Sequence, residues 1–364
     1  MSRRTLGEVL EDRNNSFNAV RLLAAAAVFI SHIFLIVPVG NHHQPLDDTA
    51  YDLGQLAVNV FFFLSGLMLS RSYALKPDLS GFIAARALRI FPGLLVCGAL
   101  IAWLIAPFST SLSLAEHFTN PATLLYPLLM PVLFSQPHLP GAFLFGMEPG
   151  QVNIPLWTIK YELLAYLAFV SIPLLKVFGS RRAMAALSMA FGILLVVSYH
   201  THAFDASMAG SIIRFGFCFA LGMLAFTFRF QIVLNWPIAI LGIILAIWLS
   251  PTAVGQVASI IAFAYFAATL GGTFIPLLTR ATRQADISYG IYLYSFPIQQ
   301  ALLARFGTSV WMVLLMSVAA ALTTICLAYL SWHWVERPAL SLKRLFGGEK
   351  ARAQQLAVPS QDAT

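Results

Sequence analysis

Long apolar runs separated by short polar stretches dominate this chain. Runs long enough to cross about 30 Å of hydrocarbon fall near residues 17–39, 53–71, 87–107, 155–177, 183–199, 210–228, 234–250, 252–272, 287–304 and 309–334. A bilayer offers the backbone no hydrogen-bond partners, so such runs are expected as helices. The pattern predicts an all-α polytopic membrane bundle of about ten spans. A further apolar stretch, residues 122–134, is short and follows Pro121, with Pro127 and Pro131 inside it. Proline interrupts helices, so an interfacial or re-entrant segment is expected there.

Composition agrees. Of 364 residues, 59% are hydrophobic and 10% charged, against about 25% charged in a soluble domain. The net charge of +7 does not point to nucleic acid, because the basic residues sit in short loops between apolar runs. One set of loops holds Arg3, Arg4 and Arg13, then Arg71, Lys76 and Arg86, then Lys176, Arg181 and Arg182, then Arg229, Arg280 and Arg283. The tail adds Arg337, Lys343, Arg344, Lys350 and Arg352, whereas residues 107–155 contain no Lys or Arg. The asymmetry places both termini in the cytoplasm and argues for an even number of spans. One integral membrane domain is expected over 1–345, with a polar, disordered tail over 346–364. The first span has no small-residue cleavage site after it and reads as retained. Cys97, Cys218 and Cys326 lie in separate apolar runs without metal or disulfide spacing, and no metal is expected.

Ionisable groups inside spans are costly and mark sites or pathways. Arg21 and His32 lie in the first run. Eleven helical residues turn about 1100°, roughly 20° past three turns, so both share one face about 16 Å apart. They can hold an anionic ligand by its tail and act on its head. Arg89, Lys160, Glu162 and Arg214 also fall within or at the ends of spans.

Further motifs follow in order. They are Asn59-Val-Phe-Phe-Phe-Leu-Ser65-Gly66, Arg86-Ala-Leu-Arg89-Ile-Phe-Pro92, Pro155-Leu-Trp157-Thr158-Ile-Lys160-Tyr161-Glu162, Ser288-Tyr-Gly-Ile-Tyr292-Leu-Tyr294 and Trp334-Val-Glu336-Arg337-Pro338. The Ser65-Gly66 pair permits close helix contact. Arg86 and Arg89, three apart, share a helical face. Glu162 is expected about two turns into its span. Together these motifs resemble the integral-membrane acyltransferase-3 family, over nearly the whole chain from Arg21 to Pro338. The PLWTIKYE wording resembles members that decorate exopolysaccharides or lipopolysaccharide O-chains. Thr158 stands where the family often has Ser, and Ser295 where many members carry His. The esterase-like domain fused to some members is not expected in these residues.

The resemblance implies O-acyl transfer, with acetyl favoured, from acyl-CoA to a hydroxyl of a cell-surface polysaccharide or its lipid-linked precursor, at the bacterial inner membrane. His32 would be the general base, its unperturbed pKa lying near neutrality; the plainer alternative is a buried histidine bonded to a neighbouring helix. Glu162 would orient His32. Arg86, Arg89 and Arg21 would bind CoA phosphates, Arg21 alternatively pairing a carboxylate such as Glu162. Trp157 is a sugar platform or an interface anchor, and Thr158 or Ser65 an oxyanion donor. His42 and His43 with Asp47, Asp48 and Asp52 read as a solvated loop before a metal or sugar site. The competing function is a transporter or flippase of a lipid-linked sugar, in which Arg21, His32 and Glu162 form the pathway.

Overall fold

The computed structural model describes residues 4–12, 14–37, 44–133, 137–144, 150–204, 207–250, 252–306 and 309–346. His42, His43 and nearly all of the polar tail lie outside them. Among the described residues the chain is all-helical. Its α-helices are α1 Leu6–Glu11, α2 Phe17–Ile36, α3 Leu53–Leu75, α4 Leu79–Leu100, α5 Leu114–Thr119, α6 Pro121–Leu133, α7 Ile159–Leu174 and α8 Arg181–Thr201. They continue as α9 Met208–Thr227, α10 Trp236–Leu249, α11 Ala253–Gly272, α12 Pro276–Gln284, α13 Ser288–Phe306, α14 Val310–Ser331 and α15 Arg337–Ser341. Each expected span coincides with one helix. Among the described residues, seven helical stretches are long and apolar enough to cross a membrane. Of the remaining three, α7 has 16 residues and α10 has 14, while α13 carries Gln299, Gln300 and Arg305.

Two helix starts differ from expectation, and both bear on the site. α4 begins at Leu79, because the Asp78 side chain caps it by accepting from Gly81 N–H at 3.2 Å. Arg86 and Arg89 therefore lie well inside a helix rather than at its mouth. α7 begins at Ile159, after a 3-10 turn over Ile154–Thr158, so Glu162 sits in its first turn. That preceding turn is pinned inside the bundle. Asn153 is fully buried, and its Nδ2 donates to the Leu293 carbonyl at 2.9 Å. Pro297 cannot supply the N–H that this carbonyl would meet in an uninterrupted helix. Asn153 fills the gap, and the Cys97 thiol donates to the same oxygen at 3.4 Å.

α6 is helical despite its prolines and, as expected, too short to count among the spans. Pro127 leaves the Thr123 carbonyl without its helical donor, and Trp103 Nε1 donates to it at 3.3 Å. The helix packs on α4. The closest helix pairing is α3 on α9, where glycine is needed on both sides. A Cβ on Gly66 would meet the Phe219 carbonyl oxygen at 2.1 Å, and one on Gly222 would meet that of Phe63 at 2.1 Å. The expected role of Gly66 in close contact holds.

The helix ends sort into two groups. At the end where α2 starts, Ser16 Oγ meets Thr279 Oγ1 of α12 at 2.7 Å. Ser16 N–H also meets the last turn of α11 there, through Gly271 O at 2.8 Å. α1 docks at the same end, through Gly7 N–H to Arg229 O at 2.8 Å. Arg21 lies near this end of α2, and His32 lies near the other.

Candidate active site

A small cavity lies among α2, α3, α4, α7 and α13. Its polar lining is Arg21, Ser65, Arg89, Thr158, Glu162 and Ser288, with the rings of Tyr289 and Tyr292. Four of the residues expected to act together thus line the same cavity: Arg21, Arg89, Thr158 and Glu162.

Arg89 is buried and doubly paired. One guanidinium nitrogen lies 2.8 Å from Asp286 and the other 3.3 Å from Glu336. The same group lies over the Tyr289 ring at 5.4 Å and the Trp332 ring at 5.7 Å. Glu336 arrives by a π-helical turn, Trp332–Glu336, at the end of α14. The extra residue in such a turn shifts the face a side chain presents, and Glu336 is fully buried. Ser331 Oγ donates to it at 3.1 Å. Asp286, in the link before α13, also meets Arg21 at 3.8 Å and accepts from Ser288 Oγ at 2.6 Å. Burial alone raises the Asp286 carboxyl; Arg89, Arg21 and the Ser288 bonds outweigh it and hold it below the usual carboxylate range. Neither Asp286 nor Glu336 is assigned a role from the motifs alone. Yet they are the only carboxylates between residues 206 and 348, and a buried arginine needs an acid.

Glu162 accepts a hydrogen bond from Tyr166 Oη. Arg86 does not line the cavity. Its guanidinium lies 5.8 Å from the Tyr166 ring, in a separate apolar groove that also contains Lys160. Tyr166 therefore stands between the two. Thr158 Oγ1 contacts Tyr292 Oη, which donates to the Pro155 carbonyl. Trp157 lies outside the cavity lining, 37% exposed, with its ring 5.6 Å from those of both Tyr161 and Phe215.

His32 is buried on α2, about 16 Å along the helix from Arg21. Its ring stands edge-on to Phe296 of α13 at 5.2 Å. Its Nδ1 is buried without a hydrogen-bond partner. One helical turn along, Gln299 Nε2 donates to the Phe29 carbonyl at 2.8 Å, leaving its own Oε1 buried and unpartnered. Among the described residues no hydrogen bond or ion pair joins His32 to Glu162. Ser295 Oγ, where the family motif often has His, is also buried and unpartnered.

The comparisons with known proteins agree with one another. A family model described as an acyltransferase domain, that of the acyltransferase-3 family, matches residues 14–333. The chain is similar to an O-acetyl transferase of Shigella phage Sf6, 26% identical over 344 residues covering 90% of this chain and 97% of that protein. It is also similar to nodulation protein 10 of Rhizobium leguminosarum bv. viciae, 27% identical over 358 residues covering 90% and 94%. No solved structure matches. With the family match reaching from α2 into the turn that carries Glu336, the chain belongs to the acyltransferase-3 family and is an integral-membrane acyltransferase.

Proposed function

We propose that the protein transfers an acetyl group from acetyl-CoA to a hydroxyl of a cell-surface polysaccharide or its lipid-linked precursor, at the bacterial inner membrane. The acetyl assignment is supported by the name of the phage relative. The observation that carries the reading is one helix presenting two kinds of chemistry. Arg21 of α2 lines the cavity, and His32 of the same helix lies buried with an unpartnered ring nitrogen.

In this reading CoA enters from the Arg21 end. Its phosphates meet Arg21, with Arg86 beside the entrance. Arg89, with both sides of its fork taken by carboxylates, acts by holding the cavity wall in place. The pantetheine arm runs towards His32, and Thr158 lies along its path. His32 takes the proton of the acceptor hydroxyl as that oxygen attacks the thioester carbonyl. The C–S bond breaks, the CoA thiolate leaves, and the imidazolium returns the proton to it. Glu162 supports the charge balance of the cavity opposite Arg21 rather than bonding to the imidazole directly. Trp157, half-open on its aromatic face, is offered to the acceptor sugar.

The test uses the full chain in nanodiscs with acetyl-CoA and surface glycan from a strain lacking the gene. Free CoA thiol is expected only when glycan is present, with acetyl esters on the product. Movement of lipid-linked sugar without thiol release would instead favour the carrier reading.

A further inference from the structure

Arg214 is a cation in α9 that neither the cavity nor the ion network uses. It lies seven residues into a helix apolar enough to span a membrane, where an arginine without an anion is costly. No carboxylate lies within ion-pair distance of it among the described residues. Its Nε is buried without a hydrogen-bond partner. Asp52 is near enough to feel its charge. That carboxylate already caps α3, accepting from Gln55 N–H at 2.8 Å.

What surrounds Arg214 is aromatic. Its guanidinium lies 4.5 Å from the Phe215 ring and 5.4 Å from that of Tyr51. Tyr51 Oη is itself buried and unpartnered. Phe215 stacks on Phe62 at 4.2 Å, with the planes within 7°, and Phe62 lines the cavity. The Phe215 ring also lies 5.6 Å from that of the half-open Trp157. The fork lies against the buried Phe215 and Tyr51 rings, one ring removed from the partly exposed Trp157, and a cation so close to an open aromatic ring is suited to a sugar that bears an anionic substituent. The location agrees. Tyr51 lies two residues before α3, whose start follows the end of α2 that carries His32. The group therefore sits at the histidine end of the bundle, away from Arg21.

We propose that Arg214 and Tyr51, beside the Trp157–Phe215 face, form an acceptor subsite for an anionic group, either a uronate carboxylate or the diphosphate of a lipid-linked sugar. The inference rests on the acyl-transfer reading for the identity of its ligand, and it is tested without catalysis.

Equilibrium binding is measured on the full chain in zwitterionic nanodiscs. The three labelled probes are a glucuronate-containing oligosaccharide, its carboxyl-reduced neutral analogue, and a polyprenyl diphosphate glucose. Arg214→Met is expected to weaken binding of at least one anionic probe by about tenfold or more, with Arg214→Lys intermediate and the neutral analogue unaffected. Acetyl-CoA binding stays unchanged. Loss confined to the uronate identifies an acidic polymer, and loss confined to the diphosphate identifies the lipid-linked precursor. Equal affinity of wild type and Arg214→Met for both anionic probes, or no binding of either by wild type, overturns the proposal. If Arg214→Met does not fold, the Arg214→Lys comparison and the uronate-to-neutral ratio of the wild type decide it. Failure of the acyl-transfer reading would show separately, as absent thiol release with anion binding intact.

Discussion

The two ends of α2 solve the problem of polar groups in a membrane bundle in opposite ways. At the Arg21 end, charge is matched. Arg89 bridges Asp286 and Glu336, and Arg21 approaches the same Asp286. At the His32 end, polar atoms are left buried and single: His32 Nδ1, Gln299 Oε1 and Ser295 Oγ. Unpaired buried groups cost free energy, and beside a histidine on the same helix as Arg21 they offer contacts that a ligand or a reaction can use. The lesson is a division of labour. Mutations at the matched end are expected to cost stability first, and mutations at the unmatched end to cost activity while leaving the fold alone.

The largest expected effect breaks the matched end. Glu336→Ala leaves one side of Arg89 buried without its acid and should destabilise the protein by about 3–5 kcal/mol. A lowered melting temperature in detergent would check this. By contrast, His32→Phe should leave the melting temperature unchanged or raise it, because phenylalanine packs on Phe296 without a stranded nitrogen. A similar loss of stability for both substitutions would erase the contrast between the two ends.

Acid offers a second probe. The Asp286 carboxyl is held below its ordinary range in the folded protein. Its contribution is therefore fully present above the ordinary carboxylate value near ~4 and is lost as pH falls through the depressed value. Melting temperature against pH should drop in that acidic window for the wild type and flatten in Asp286→Asn.

Smaller effects test the framework that holds the ends apart. Gly66→Ala forces a methyl against the Phe219 carbonyl and should cost about 1–3 kcal/mol, read from the melting curve. Trp103→Phe removes the donor to the Thr123 carbonyl and should cost about 1 kcal/mol. Because that bond sits on α6, away from the cavity, transfer activity per folded molecule should not move.

Much of this architecture is legible from residue pattern. Apolar periodicity locates a helix at each expected span, and Arg21 and His32 announce themselves as ionisable groups in an apolar run. Helix starts are less legible. α4 begins earlier than its hydropathy suggests because Asp78, a polar residue outside the apolar run, caps it. α7 begins later because Pro155 and the buried Asn153 hold the preceding turn against α13. The acids were the harder part. Asp286 lies in a polar link and Glu336 in a π-helical turn, and neither periodicity nor spacing reports a contact between residues 247 positions apart. Scarcity was the usable signal, since few other acids were available to Arg89. The pairing of Glu162 with Tyr166, one turn along the same helix, was legible in principle from the four-residue spacing. The unpartnered state of Arg214 was not, because it depends on what the loops bring near.

The most direct test of the central claim is glycan acetylation by His32→Ala in nanodiscs, normalised to folded protein and with acetyl-CoA binding measured alongside. Transfer is expected to fall by about 10²–10⁴-fold, with donor binding and melting temperature preserved. Transfer at the wild-type rate in a folded His32→Ala protein would contradict it.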